Sequence, residues 1–521
     1  MAPVRFAHLR NQVFKFALAS FCFILLALKL AVPINLAAVD IGRHVKNGEE
    51  LLERRQWDVL HTNFYSFTYP DYPFINHHWF FGVMSYGVWK CFGFIGLSIA
   101  YIALMLLALF FFFRAALLRG NFPLVVFLAF AALPILADRK EIRPEGISIL
   151  FMGVYFYLLT KLSLGKIRRG GVFLILFFLQ VIWVNTHIFF FMGPLLVSVF
   201  LWEGANRGCK ACVRSLTPLL FLTLALNIIN PSGLSGAAAP LNILKEFGYR
   251  LAENQNIFFM LNFFPQEKIY IYYLAMALIA AVGIVWAVWK RGWKMNAPFA
   301  VLAIVAVCAG LKAARLMMPF GFLFIPLASF FYSQVEGKWT RHVQLKARGI
   351  LLAGAVMFCV FYGWGLRGQQ IGLGLVPGIN RSADFFKAVG LRGPVFSNYD
   401  IGGYLIFHLA DQEKVFVDNR QEAFPLEFFK NVYVPMQEEA QMWRKTDGRY
   451  GFNAIYFYRH DLTPWGQNFL IERIQDPQWV PVFVDDYVII FLKRNSVNQP
   501  IIERFELPKS MFGVSRPGQV K

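Results

Sequence analysis

The sequence predicts an α-helical polytopic membrane protein that ends in a small α/β domain. Three observations predict it. Hydrophobic residues make up 57% of the chain and charged residues 16%, with a mean hydropathy of +0.49, a balance too apolar to fold in water. A helix of about 20 apolar residues spans the hydrocarbon core, and about 11 such runs are centred near Leu26, Met105, Ala129, Met152, Leu176, Leu196, Leu220, Leu278, Ile304, Leu323 and Val356. Beyond about Arg367 the texture changes to short apolar strands set between amphipathic helices.

The first run, Phe16 to Val39, is long enough to span despite Lys29 and Asn35, and Asp40 closes it. It is too long for a signal peptide and its exit carries no small-x-small cleavage site, so it reads as a retained helix. The connection that follows, residues 40–92, holds two helical stretches. The first contains Asp40-Ile-Gly-Arg-His44-Val-Lys-Asn-Gly-Glu-Glu50, where Asp40 and His44 share a helix face with Arg43 beside them. A turn-rich segment, Thr62 to Pro73, leads to the second, which opens Asn76-His77-His78-Trp79. Asn76 fits an N-cap, and the aromatic content fits a helix lying in the membrane interface.

Alternate connections carry the basic residues: Arg5, Arg10, Lys15; Arg114, Arg119; Lys161 to Arg169; Arg207, Lys210, Arg214; Lys290, Arg291, Lys294; and Lys338 to Arg348, opposed there by Glu203 and Glu336. This series carries most of the net +20, which makes the basic balance a topology signal and not a nucleic-acid footprint. The N-terminus is then cytoplasmic, and an odd number of spans leaves everything after about Arg367 on the far side. The six cysteines imply no disulfide framework. Cys209-Lys-Ala-Cys212 stands alone, with no second pair and no nearby His, and reads as incidental thiols.

The far-side connections present Asp138-Arg139-Lys140-Glu141-Ile-Arg143-Pro-Glu145, then Asn185-Thr-His187, an excursion opening at Asn227 and running to about Lys268, and Lys312-Ala-Ala-Arg315. Unpaired charge near membrane depth is costly, so convergence on one cavity is the economical explanation. Asp40 is the candidate general base toward an acceptor hydroxyl, its proton affinity tuned by His44. Arg139, Lys140, Arg143, Lys312 and Arg315 are candidates for a phosphate leaving group, Arg as a bidentate fork and Lys as a point charge. Arg43, His77, His78, Glu145, Asn185 and His187 complete the candidate substrate-binding set.

Plainer readings stand beside these. Asp40 marks a membrane boundary; Arg139, Lys140 and Arg143, on the loop after the third span, pair with Asp138, Glu141 and Glu145; Arg315 snorkels to the interface. Adjacent helical residues point about 100° apart, so His77 and His78 suit interfacial hydrogen bonding better than metal ligation. No cofactor is certain, and a divalent cation, Mg or Mn, stays open.

After the spans, Pro394 to Ser397, Tyr404 to His408, Lys414 to Asp418 and Ala454 to Tyr458 read as strands, Leu426 to Trp443 as a helix, and Val480 to Phe491 as a hairpin. Asp418-Asn-Arg420-Gln-Glu422 follows a strand end, where such sheets bind ligands, or is a solvated loop. The organisation is a membrane domain over 1–366 that includes the 40–92 loop, an α/β domain over 367–494, and an extended tail over 495–521.

Several of these residues together resemble a family. Asp40-Ile-Gly-Arg-His44-Val-Lys-Asn-Gly48, Asn63-Phe-Tyr-Ser-Phe-Thr and Asn76-His-His-Trp79 are similar to the first extracytoplasmic loop of bacterial GT-C superfamily glycosyltransferases, with Asp-x-x-x-His-x-x-x-Gly, Asp-x-x-Ser-Tyr-Thr and His-Glu-Trp. Further echoes are Arg143-Pro-Glu145, Trp183-Val-Asn185-Thr-His187, Asn230-Pro231, Ser397-Asn-Tyr-Asp400-Ile-Gly-Gly-Tyr404 and Val417-Asp418-Asn-Arg420. The chain departs at His78, where Glu is frequent, and at Gly42-Arg43, where paired Trp is common. The resemblance implies a GT-C fold with two juxtamembrane helices, a multi-pass place in the inner (cytoplasmic) membrane with a periplasmic C-terminal domain, and a polyprenyl-phosphate-linked sugar as donor. It gives Asp40 the catalytic role and His44 and His77 its support. The expected activity is inverting transfer of that sugar, within membrane lipid, to a glycan, lipid or protein acceptor. A non-catalytic GT-C-like scaffold or assembly subunit is the alternative. A transporter is disfavoured by the lack of repeated halves.

Overall fold

The computed structural model describes residues 2–242, 245, 247–249, 251–336 and 341–513. Lys338 of the basic series and residues 514–521 of the tail lie outside the described residues. The chain folds as two compact units. One comprises Met1–Pro33, Leu97–Pro240 and Arg250–Leu373, and the other Ile34–Gly96, Leu241–Tyr249 and Gly374–Lys521. The 40–92 loop, assigned by sequence to the membrane domain, is therefore part of the same unit as the terminal segment.

The first unit is helical, and the protein is a multi-pass membrane protein. Among the described residues nine helices are long and apolar enough to cross a bilayer: Gln12–Leu30, Trp79–Leu117, Glu145–Ser163, Arg169–Thr186, Ile188–Asn206, Ile269–Arg291, Trp293–Lys312, Ala314–Gln334 and Val343–Gly363. The helices are labelled in chain order α1 (Ala2–Leu30), α2 (Ile41–Leu52), α3 (Trp79–Leu117), α4 (Phe122–Leu136), α5 (Glu145–Ser163), α6 (Arg169–Thr186), α7 (Met192–Asn206) and α8 (Lys210–Leu226). All of the expected span centres fall inside helices, but those around Ala129 and Leu220 are the shorter α4 and α8, of 15 and 17 residues. Glycines let helices approach closely, as small residues do in membranes. A Cβ on Gly310 would stand 2.3 Å from the Tyr273 hydroxyl, and one on Gly153 3.1 Å from the Phe112 ring.

The first hydrophobic run is not one helix to its end. Helix α1 stops at Leu30, and a 3-10 turn, Leu36–Ala38, intervenes before Asp40. Pro33 supplies the reason, because it lacks an N–H and disfavours the α conformation in the residue before it. The cysteine pair also differs from expectation. Cys209 and Cys212 form a disulfide with their Cα atoms 5.3 Å apart at the start of α8, a spacing that a helical first turn brings within bridging range.

The second unit holds a four-stranded sheet in the order β1-β2-β4-β3. Strand β1 (Val395–Ser397) runs parallel to β2 (Ala454–Tyr458), and β4 (Val488–Lys493) is antiparallel to β2 and to β3 (Trp479–Val484). The hairpin turns at Asp485, whose carboxylate accepts from the backbone N–H groups of Tyr487 and Val488, each at 2.8 Å. Tyr404 to His408 is not a strand. It lies in the helix Gly402–Leu409; a short, largely apolar run carries no period that separates the two states. Lys414 to Asp418 is extended but joins no sheet strand; Val415 exchanges backbone hydrogen bonds with Tyr65 and Phe67. The helix expected over Leu426 to Trp443 is broken into Leu426–Phe428, a π turn at Phe429–Tyr433, Pro435–Glu438 and Ala440–Tyr450. The tail is helical over Gln499–Phe505 and not extended there.

Candidate functional site

The sequence candidates divide between the two units. In the second, Asp40 immediately precedes the first residue of α2, and its carbonyl accepts from the His44 N–H at 3.1 Å. The positive end of the helix dipole therefore faces a carboxylate. Asp40, His44 and Gly48 follow at four-residue spacing and share one face of α2. Gly48 explains the spacing: a Cβ there would meet the Gly82 carbonyl oxygen at 2.3 Å and the Tyr86 Cβ at 2.4 Å. Helix α2 thus crosses the start of α3 backbone to backbone. That crossing brings the buried His44 ring edge-on to His78 at 5.6 Å and to Phe81 at 5.0 Å, with His77 6.3 Å from His78. Burial pulls His77 down to about 4, so its ring is neutral at neutral pH.

Asp40 is half-buried and oriented from the other end of the chain. The Asn419 Nδ2 donates to its carboxylate, and the Asn419 Oδ1 accepts from Arg43 Nε at 3.0 Å. Asn419 itself is held by its neighbours. Arg420 donates to Asp418 at 2.8 and 2.6 Å and to Asn63 Oδ1 at 2.8 Å, with its guanidinium 4.9 Å from the Phe74 ring centre. Asp418 and Arg420 are buried, so these two side chains do not belong to a solvated loop. Asn76 does not cap α3. Its Oδ1 accepts from the His78 N–H in an Asx turn, and its Nδ2 donates to the Val59 carbonyl.

In the first unit, Arg139 and Arg143 converge on Glu253, a residue the sequence reading passed over. Arg139 Nη2 lies 2.7 Å from Glu253 Oε2, and Arg143 Nη1 donates to both carboxylate oxygens at 3.1 and 3.0 Å. Glu145 stands 3.7 Å from Arg139 and Glu141 2.6 Å from Arg143. The salt-bridge reading is thus right for Glu141 and Glu145, while the shared partner is Glu253. Burial would raise the Glu253 carboxyl, but Arg143, Arg139 and Arg315 outweigh it and hold it down at about 2. Lys140 and Lys312 are exposed. His187 Nδ1 lies 2.8 Å from Ser148 Oγ, which accepts from Trp183 Nε1 at 2.7 Å. Asn185 ties the Val181 and Ile229 carbonyls together at 2.8 Å each, a structural brace.

Asn419, Glu253 and Ser148 are the partners that sequence reasoning missed. Asn419 was in view within the Asp418-Asn-Arg420 motif, and an excess of arginine near membrane depth calls for a counter-ion such as Glu253. Ser148 carries no such signal. Among the described residues no cluster of three or more His, Cys, Asp and Glu side chains is placed to hold a metal.

Comparison with solved structures shows where this architecture recurs. The Archaeoglobus fulgidus oligosaccharyltransferase in its apo form superposes with a TM-score of 0.57 at 10% identity, covering 85% of this chain and 69% of that one. The same enzyme tethered with an acceptor peptide containing the NVT sequon gives 0.55 at 9% identity, over 92% and 74%. This chain has the fold of that transferase. The arabinofuranosyltransferase AftD from Mycobacteria matches with a TM-score of 0.50 at 15% identity, over 92% of this chain and 40% of AftD. No family model and no curated relative matches the sequence.

Proposed function

We propose that this protein is a membrane glycosyltransferase that moves a sugar from a polyprenyl-phosphate donor to a glycan, lipid or protein acceptor on the far side of the inner membrane. In this reading about 11 helices span, the N-terminus is cytoplasmic and the terminal segment is extracytoplasmic. Asp40 takes the proton of the acceptor hydroxyl as the oxygen bonds to the anomeric carbon, and the bond from that carbon to the phosphate oxygen breaks with its electron pair leaving on polyprenyl phosphate. A single displacement inverts the anomeric centre. His44, His77 and His78 support the acceptor side, with Arg43 setting Asn419. Basic residues, foremost Arg139, Arg143 and Arg315, offset charge growing on the leaving phosphate.

The observation that carries this reading is the half-buried Asp40 carboxylate at the head of α2, aimed by Asn419, in a fold shared with an oligosaccharyltransferase. Screening polyprenyl-phosphate sugars for turnover supplies the assay. Asp40→Asn is then expected to lower kcat by about 10²- to 10⁴-fold, the usual contribution of a positioned base. Transfer at the wild-type rate by that variant sinks the assignment.

A second reading, an inert scaffold of the same fold, is favoured by one observation: Arg139 and Arg143 are already paired with carboxylates of this chain.

A further inference from the structure

Glu253 sits in the arginine pair in the manner of a ligand. Its two oxygens meet three N–H···O contacts of 2.7 to 3.1 Å from two guanidinium groups, charge-assisted contacts that guanidinium groups also make to phosphate oxygens. The two sides of this contact differ in how firmly they are built. Arg143 is followed by Pro144 and the first turn of α5, and the Arg139 carbonyl accepts from the Tyr101 hydroxyl of α3 at 3.3 Å. Glu253 rides instead on a three-residue 3-10 turn, Ala252–Asn254, outside any long helix.

The turn is anchored one step further on, where the Gln255 carbonyl accepts from the Ala314 N–H at 3.1 Å. Arg315 follows directly. Its Nε is buried and has no hydrogen-bond partner among the described residues. A third cation thus stands by with donor capacity that one carboxylate does not exhaust. Glu141 and Glu145 contact Arg143 and Arg139 independently of Glu253, so the arginines keep counter-ions when Glu253 leaves.

We propose that Arg139, Arg143 and Arg315 form a phosphoryl-binding site and that Glu253 is its resident counter-ion, displaced when a phosphoryl group enters. This rests on the glycosyltransferase reading only for the source of the phosphoryl group, a lipid-linked phosphate; the site itself requires only the anion. A phosphate monoester, such as the polyprenyl phosphate released by transfer, brings more negative charge and a third acceptor oxygen, which Arg315 is placed to take up. The internal pairing that favoured an inert scaffold becomes, on this account, the resting state of a binding site.

The test measures affinity of the full chain in lipid nanodiscs for polyprenyl phosphate and, separately, for inorganic phosphate. Glu253→Gln keeps the side-chain shape and removes the competing charge. It is expected to bind about tenfold tighter or more, because apparent affinity rises with the fraction of sites that are open. Arg143→Gln is expected to lose binding in the same assay. A gain confined to inorganic phosphate supports the site and identifies free anion, not lipid, as its ligand. Unchanged or weaker binding of both probes by Glu253→Gln overturns the proposal, since a purely structural Glu253 predicts a lower melting temperature and no gain. Should that variant not fold, Glu253→Asp withdraws the carboxylate by one methylene and is expected to shift affinity in the same direction. The readout is binding, so full transfer activity in Asp40→Asn removes the catalytic assignment without touching this site.

Discussion

Arg420 is among the largest side chains that the second unit closes over completely. Its guanidinium satisfies a buried Asp418 and caps the Asn63 amide, so removing it leaves a carboxylate in a low-dielectric interior without its partner. Breaking a buried pair in this way costs about 3 to 5 kcal/mol. Arg420→Ala is therefore expected to lower the melting temperature by several degrees, and Arg420→Lys to rescue little, because an ammonium does not reproduce the planar fork. A melting curve identical to wild type for both variants contradicts the role. The same residue sets Asn419 in place between Asp40 and Arg43. The charged run Asp418 to Glu422 was visible in the sequence, but local pattern fits a solvated loop and a ligand edge equally. Only its burial against Asn63 and Asp40, more than 350 positions away in the chain, separates these from the arrangement found.

Helix α2 shows what a motif means as an element. The spacing from Asp40 through His44 to Gly48 places all three on one face by helical period alone. Why the third member is glycine is a packing matter, since a Cβ there would occupy the volume of the Gly82 carbonyl. Gly48→Ala is expected to destabilise the protein by about 1 to 3 kcal/mol through overpacking at the crossing and to displace His44 from Phe81. Circular dichroism melts and the kcat of the same variant check both effects; an unchanged melting temperature counts against the crossing. Helix α3 carries the related lesson. Gly93 breaks it with φ at 61°, a left-handed conformation that glycine adopts without strain. Amphipathic elements of this kind were legible. The segment Tyr404 to His408 was not, because its run of apolar residues, Tyr404 to Phe407, is too short and uniform to show the period that distinguishes helix from strand.

Across the molecule, acid is expected to loosen the fold through two histidines of the second unit. Burial lowers His77 to about 4 and His408 to about 3 from an ordinary value of 6.5. As pH falls below about 6.5 the unfolded chain takes up these protons first, while the folded chain resists until near 4 and 3. Their contribution is thus complete above about 6.5 and declines on acidification. Thermal unfolding between pH 7 and pH 4 checks this, with His408→Gln expected to flatten the slope; an unchanged slope in that variant contradicts it. The sequence by itself determined the membrane class, the helical positions of the spans, the two helical stretches of the first loop, the strands β1 and β2, and the C-terminal hairpin, because hydrophobic run length and period are local properties. It also singled out Asp40, His44, Arg139 and Arg143, because charge near an apolar run is conspicuous. Only the tertiary structure decided that the first loop belongs to the unit of the terminal segment, that Asn419 aims Asp40, and that Glu253 occupies the arginine pair. Those outcomes rest on contacts between residues distant in sequence, and neither composition nor period encodes which distant partner a side chain will meet.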